Sequence, residues 1–220
     1  MNAWNNLWEK ETFNTTFGRR FPNFVYDWLI GLSLDGSILE VGCGNASLVP
    51  FLLDNQIGKS YTGVDSAKIH FTTKVPLLGL DCVLYKETQM EDTSFIGEFD
   101  HVVSIFGIEY TFMFRTLPLV YESLKKNGQI HFMMHNSNSG ITAFAKKQLN
   151  VHYSLDFKST GNLVDDFKYE KIRHKEQVES AKDKNDIEVF KCQLENTGFT
   201  DIEITEQENK NAWLVSAKRG

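Results

Sequence analysis

Positive charge is in short supply in this chain, and so are cysteine and long apolar runs. Of 220 residues, 23 are Lys or Arg against 29 Asp or Glu, a formal net charge of −6. A nucleic-acid partner needs a basic face to neutralise phosphates, so this balance argues against one. The three cysteines, Cys43, Cys82 and Cys192, lie far apart with no CxxC spacing. Neither a disulfide framework nor a metal site is indicated. No apolar stretch approaches the roughly 20 residues of a membrane span. The N-terminal "MNAWNNLWEKETFN" has no basic start followed by an apolar run, so it does not read as a secretory leader. The expectation is a soluble cytoplasmic protein with no membrane partner.

What is present suits one globular domain over 1–220. Hydrophobic residues make up 41% and charged residues 24%, ordinary for a soluble chain of this length. Seventeen Phe and four Trp point to a large aromatic core, with room for an aromatic-lined pocket. Residues 1–31 carry apolar residues at helical spacing and read as a helical lid. Then come a turn and apolar strand at "DGSILEVGCG" and further strands at "SYTGVDSA", "DCVLYKET", "EFDHVVSIFGIEY" and "QIHFMMHN", with helical patterns over "NASLVPFLLDNQIG", "AKIHFTTKVPLLG" and "FRTLPLVYESLKKNG". Asn45 or Ser47 is available to cap the first of these helices, and Pro50 fits only in its first turn. A last helix, "NDIEVFKCQLENTG", precedes two alternating segments that read as a hairpin. Strands alternating with helices imply an α/β, mostly parallel sheet with helices on both faces, ending in an antiparallel pair. Residues 136–185 are too long for a plain connection and read as an insertion roofing a pocket, or as a homodimer contact.

The bend in "ILEVGCGNAS" poses the functional question. A dinucleotide fingerprint wants G-x-G-x-x-G, but Ser47 occupies the third glycine position. A P-loop wants Gly-Lys-Ser/Thr, which is absent. Glu40 stands two residues before Gly42, where it would repel a pyrophosphate and suit an ammonium group.

These residues resemble the E/D-x-G-x-G-x-G signature of class I S-adenosylmethionine-dependent methyltransferases, with Ala46 where the last glycine would stand. The resemblance continues in order along most of the chain, through "YTGVDSA", "ETQMEDTSF", "FDHVVSIFGIEY", "LKKNGQIHFMMH" and "LENTGFTDIEI". It implies a Rossmann-like seven-stranded sheet and S-adenosylmethionine as cofactor, leaving as S-adenosylhomocysteine. It also implies cofactor contacts from Gly42, Cys43 and Gly44, and from Glu40 at the amino end. Asp65 follows the bend by about 20 residues, the separation at which an acid holds ribose hydroxyls. Met90 and Glu91, or Asp92, would stand near the adenine, and Phe106 beside the cofactor. Arg19 or Arg20 would reach the carboxylate end, since a guanidinium suits bidentate pairing. No residues are assigned to a metal.

For proton removal the candidates are His135, Glu109 and Tyr110, at the ends of the fifth and fourth strands, with His131 deeper in its strand. No dedicated base is required. Positioning two reactants can supply roughly 7–11 kcal/mol, against roughly 3–5 kcal/mol for a general base. The fourth strand ends in "SIFGIEY", not in the Asn/Asp-Pro-Pro-aromatic motif of base-amine and glutamine methylation, and no Pro-Cys pair is present. The expected activity is methyl transfer to oxygen or nitrogen of a small molecule. A protein substrate, or a silent methyltransferase-like partner subunit, is the alternative.

Overall fold

The computed structural model describes residues 21, 23–67, 80–136, 187–208 and 212–220. Residues 1–20 of the expected lid over 1–31, residues 68–79 of the expected second helix and residues 137–185 of the expected insertion over 136–185 lie outside the described residues, as do Arg19 and Arg20. The elements run α1 (Asn23–Ile30), β1 (Ser37–Val41), α2 (Leu48–Asp54), β2 (Ser60–Asp65), β3 (Asp81–Lys86) and β4 (Phe99–Ile105). They continue with α3 (Met113–Ser123), β5 (Leu124–His135), α4 (Ile187–Thr197), β6 (Phe199–Glu206) and β7 (Ala212–Arg219). Single turns of 3₁₀ helix stand at Met90–Asp92 and Ile108–Tyr110.

The seven strands form one sheet in the order β3-β2-β1-β4-β5-β7-β6. Strands β1 to β5 pair in parallel, while β7 enters antiparallel between β5 and β6. The predicted sheet and hairpin are both present. Strand alternation divides the core in two. Leu39, Val102, Ile130 and Phe132 pack with Leu117 and Val120 of α3 and Leu194 of α4. Ile38, Val103 and Met133, on the opposite face, pack with Leu29 of α1 and Leu48 and Leu52 of α2. Strand β4 is apolar along most of its length because helices cover both of its faces.

Two local expectations need correction. The helix after the bend starts at Leu48, which puts Pro50 in its first turn, but Ser47 does not cap it. The Ser47 hydroxyl donates instead to Asn45 Oδ1 at 2.6 Å. Helix α3 stops at Ser123, before the Lys-Lys-Asn-Gly run. Leu124 is already extended, and Asn127 takes a left-handed turn at φ +64 inside β5. The carbonyls of Glu122 and Ser123 accept the amides of Gly97 and Glu98, so the helix end is satisfied there.

The sheet order reverses between β1 and β4, and the ends of these two strands touch. A Cβ added to Gly42 would lie 2.9 Å from Gly107 Cα. One added to Gly107 would lie 2.8 Å from the Val41 carbonyl oxygen and 3.0 Å from Ser104 Oγ. Ser104, fully buried, ties the approach together. Its hydroxyl donates to the Val41 carbonyl at 2.6 Å and accepts the Ile108 amide at 2.8 Å. Ser104→Ala would leave both backbone groups buried without that partner. We expect it to cost about 2–4 kcal/mol, read as a lowered urea midpoint at unchanged slope. A change within about 0.5 kcal/mol would show that the hydroxyl is dispensable.

Candidate active site at the sheet switch point

A crevice opens where the strand order reverses, the place where open α/β sheets bind ligands. It encloses about 260 Å³. Gly42 and Gly107 form its floor, because only bare backbone permits the two strands to meet there. Asp65 closes β2 at one side. Its Oδ2 accepts the Gly44 amide and its Oδ1 the Ala67 amide, each at 2.8 Å. Asp65 therefore braces the glycine bend while facing the cavity. Burial pushes its carboxyl above the ordinary 3.8, and the two amide bonds work against that. A carboxylate has about four lone-pair sites, so acceptor capacity remains for ligand hydroxyls.

Met90 and Glu91 line the cavity from the first 3₁₀ turn; Asp92 does not. Glu91 also accepts the Thr116 hydroxyl through Oε1, which anchors the turn to α3. Phe106 and Tyr110 complete the wall beyond β4. Phe106 holds φ +53, a left-handed conformation that costs a bulky residue on the order of 1–3 kcal/mol. Ala46, at the departing glycine position, is left-handed too, at φ +58. Alanine pays a smaller steric penalty there than a larger residue would, so the bend keeps the path that a glycine would give it.

Other expected residues stand behind the cavity. Glu40 is 2% exposed and accepts the Tyr61 hydroxyl under α2, on the face away from the crevice. Glu40, expected at a ligand's amino end, is thus bonded to β2 and does not line the cavity. Cys43 is buried beside Gly63 and does not line the cavity. Gly44 contributes through its bond to Asp65. Glu109 and His135 pair with each other one layer back, with Glu109 Oε1 2.6 Å from His135 Nδ1. His131 pairs with His101 at 3.2 Å on the opposite face from α3. Sequence reasoning missed Ser104, Tyr61 and Phe112, the last an exposed ring at the cavity mouth. Among the described residues no three His, Cys, Asp or Glu side chains gather as a metal site.

A second hollow lies at the opposite end of the sheet, around Ser37, Asp100 and Lys125. Burial alone would raise the Asp100 carboxyl, but Lys125 and the Ser37 amide and hydroxyl outweigh it and hold it at about 2. Those groups satisfy one another, so the switch-point crevice is the better ligand site.

No protein-family model matches the chain, and no curated protein sequence does. Solved structures do match, and they show the fold of class I S-adenosylmethionine-dependent methyltransferases. A Haemonchus contortus phosphoethanolamine N-methyltransferase bound to S-adenosylmethionine matches at TM-score 0.55 and 12% identity, over 100% of this chain and 60% of its own. This chain thus spans about 60% of that protein's length. An Archaeoglobus fulgidus SAM-dependent methyltransferase matches at TM-score 0.52 and 13% identity, over 88% of this chain and 90% of that one. One from Thermotoga maritima matches at 0.52 and 15%, over 90% of each chain.

The buried groups predict how stability depends on pH. Burial, and then the nearby Asp65 charge, raise the Glu40 carboxyl from 4.5 to about 8 against the pull of its Tyr61 bond. The folded chain keeps a proton there that the unfolded chain has lost. That stability is present below pH 4.5 and lost as pH rises through 8. Burial, and then His101, lower His131 from 6.5 to about 3, so its contribution is lost as pH falls through that interval. The two oppose each other between about pH 4.5 and 6.5. We expect the melting temperature to be broad and highest there and to fall on both sides. Glu40→Gln should flatten the alkaline limb in thermal melts. A limb left intact in that variant would mean another group carries it.

Proposed function

We propose that this chain is an S-adenosylmethionine-dependent methyltransferase acting on oxygen or nitrogen of a small-molecule acceptor. The observation that carries the reading is the crevice at the β1/β4 switch point, floored by Gly42 and Gly107 and flanked by Asp65. Among the described residues its lining includes two carboxylates, Asp65 and Glu91, and no Lys or Arg. Such a lining repels a pyrophosphate and suits a cation bearing a ribose. The aromatic wall of Phe106, Tyr110 and Phe112 is compatible with a positive charge as well.

When bound, the cofactor supplies a methyl group on a positively charged sulfur, which departs as a thioether while the acceptor's lone pair takes the methyl. The chain's own residues hold and orient. Asp65 would take the ribose hydroxyls on its remaining lone pairs, and Met90 and Glu91 would flank the base. The glycine floor lets a ligand lie against backbone. In-line displacement rewards alignment above all, worth roughly 7–11 kcal/mol. A shaped cavity is therefore sufficient machinery, and the carboxylates at its rim require no base of matched pKa. The free thiols at Cys43, Cys82 and Cys192 fit a reducing, cytoplasmic setting.

The test is calorimetric titration of the full chain with S-adenosylmethionine, S-adenosylhomocysteine and NAD. We expect the first two to bind and NAD not to. Asp65→Asn should weaken both by about 10–100-fold, the loss typical of a bond to a charged group. If NAD binds and the methyl donor does not, the site is a dinucleotide site. If nothing binds, the chain is a silent module of this fold.

A further inference from the structure

Glu109 and His135 form a pair that neither lines the cavity nor opens to solvent, being 4% and 9% exposed. Glu109 sits on the turn Ile108–Tyr110 just after β4, and His135 ends β5. One oxygen, Glu109 Oε1, lies 2.6 Å from His135 Nδ1 and accepts the His135 amide at 3.1 Å. With the ring nitrogen and the backbone amide on one carboxylate oxygen, the imidazole is fixed in orientation. The ring lies against Phe106 with centroids 4.4 Å apart, and Tyr110 meets its edge at 6.3 Å. Phe106 and Tyr110 do line the cavity. The pair stands one layer behind that wall and touches it at two points.

The wall needs support. Phe106 is a bulky residue held at φ +53, which its own side chain does not favour. Its amide donates to the Met133 carbonyl at 2.8 Å, and Phe24 meets its ring edge-on. The Glu109–His135 bond fastens the same turn to the end of β5. A catalytic base has to reach the proton it removes, and the placement of these two side chains suits a different task.

The geometry points to Glu109 and His135 as positioning residues, a buried clamp that holds Phe106 and Tyr110 in place as the wall of the cavity. Its use in binding rests on the methyltransferase reading, whereas the clamp itself does not. Two measurements separate them. Amide hydrogen exchange across 106–111 on the protein alone reads the wall. Calorimetric titration with S-adenosylhomocysteine reads the cavity. His135→Ala should speed exchange across 106–111 and weaken binding, each by about tenfold or more, as expected for a lost buried bond. His135→Asn places an amide nitrogen near the position of Nδ1 and should stay within about threefold of the original on both readouts. If His135→Ala does not fold, Glu109→Gln carries the test. It keeps an acceptor oxygen, so any loss of affinity must come with a matching loss of protection.

Unchanged protection and affinity in His135→Ala would overturn the clamp. So would His135→Asn as impaired as His135→Ala, or affinity lost with protection intact, since either would mean the imidazole or the carboxylate acts directly. If the unaltered chain binds neither S-adenosylmethionine nor S-adenosylhomocysteine, the methyltransferase reading falls, and the exchange measurement still decides the clamp.

Discussion

The contact between two glycine backbones at the ends of β1 and β4 is the constraint on which the site depends. Neighbouring parallel strands run about 4.8 Å apart, and side chains at their ends would normally fill the space above them. Here Gly42 and Gly107 leave that space bare; a Cβ on Gly42 would lie 2.9 Å from Gly107 Cα, and one on Gly107 2.8 Å from the Val41 carbonyl oxygen. Ser104 makes the approach permanent by bonding Val41 and Ile108 at once. From that junction the crevice walls follow. One side of the bend turns toward Asp65, which grips Gly44, and the other side turns through Phe106 to the Ile108–Tyr110 turn.

Electrostatics divides the acids of this region into two populations. Glu40 is taken out of water beneath α2 and holds its proton at neutral pH, bonded to Tyr61. Asp65 is pushed in the same direction by burial, but two backbone amides pull against it and it faces the crevice. Thus the acid nearest the bend in sequence is buried against β2, and the acid about 20 residues on lines the crevice. Side-chain alternation along β1 accounts for the difference. Glu40 shares its face with Ile38 and the α2 core, whereas Val41 reaches the crevice.

The individual strands, the terminal hairpin and the glycine bend were legible because each is local, while the seven-stranded sheet they form came from the family resemblance. Strand runs such as "SILEV" and "FDHVVSI" announce themselves by apolar continuity, and Gly42, Gly44 and Asp65 by spacing. What could not be read depends on pairs distant in sequence. Nothing in "VVSIF" marks Ser104 as the stitch between two strands, because its partner Val41 is 63 positions away. Glu109 and His135 read as separate candidates for one chemical task, and only the fold shows that they bond across 26 positions. The end of α3 was misplaced because Lys-Lys-Asn-Gly has the composition of a helix stop. The actual stop is set earlier, where the Glu122 and Ser123 carbonyls receive the Gly97 and Glu98 amides.

These features favour one division of labour. Methyl transfer from a sulfonium needs the reacting atoms aligned more than it needs a proton removed. Under the proposed methyltransferase reading, a site meeting that need should invest buried polar groups in rigidity behind its walls. That is the pattern around this crevice. Ser104, Glu40 with Tyr61, and Glu109 with His135 are each buried and bonded between elements. The described groups that line the cavity are glycine backbone, aliphatic and aromatic side chains, two acids and the short polar residues Ser66, Thr88, Gln89 and Thr111. An imidazole behind the wall, braced by a carboxylate and pressed against a strained phenylalanine, belongs with the first set.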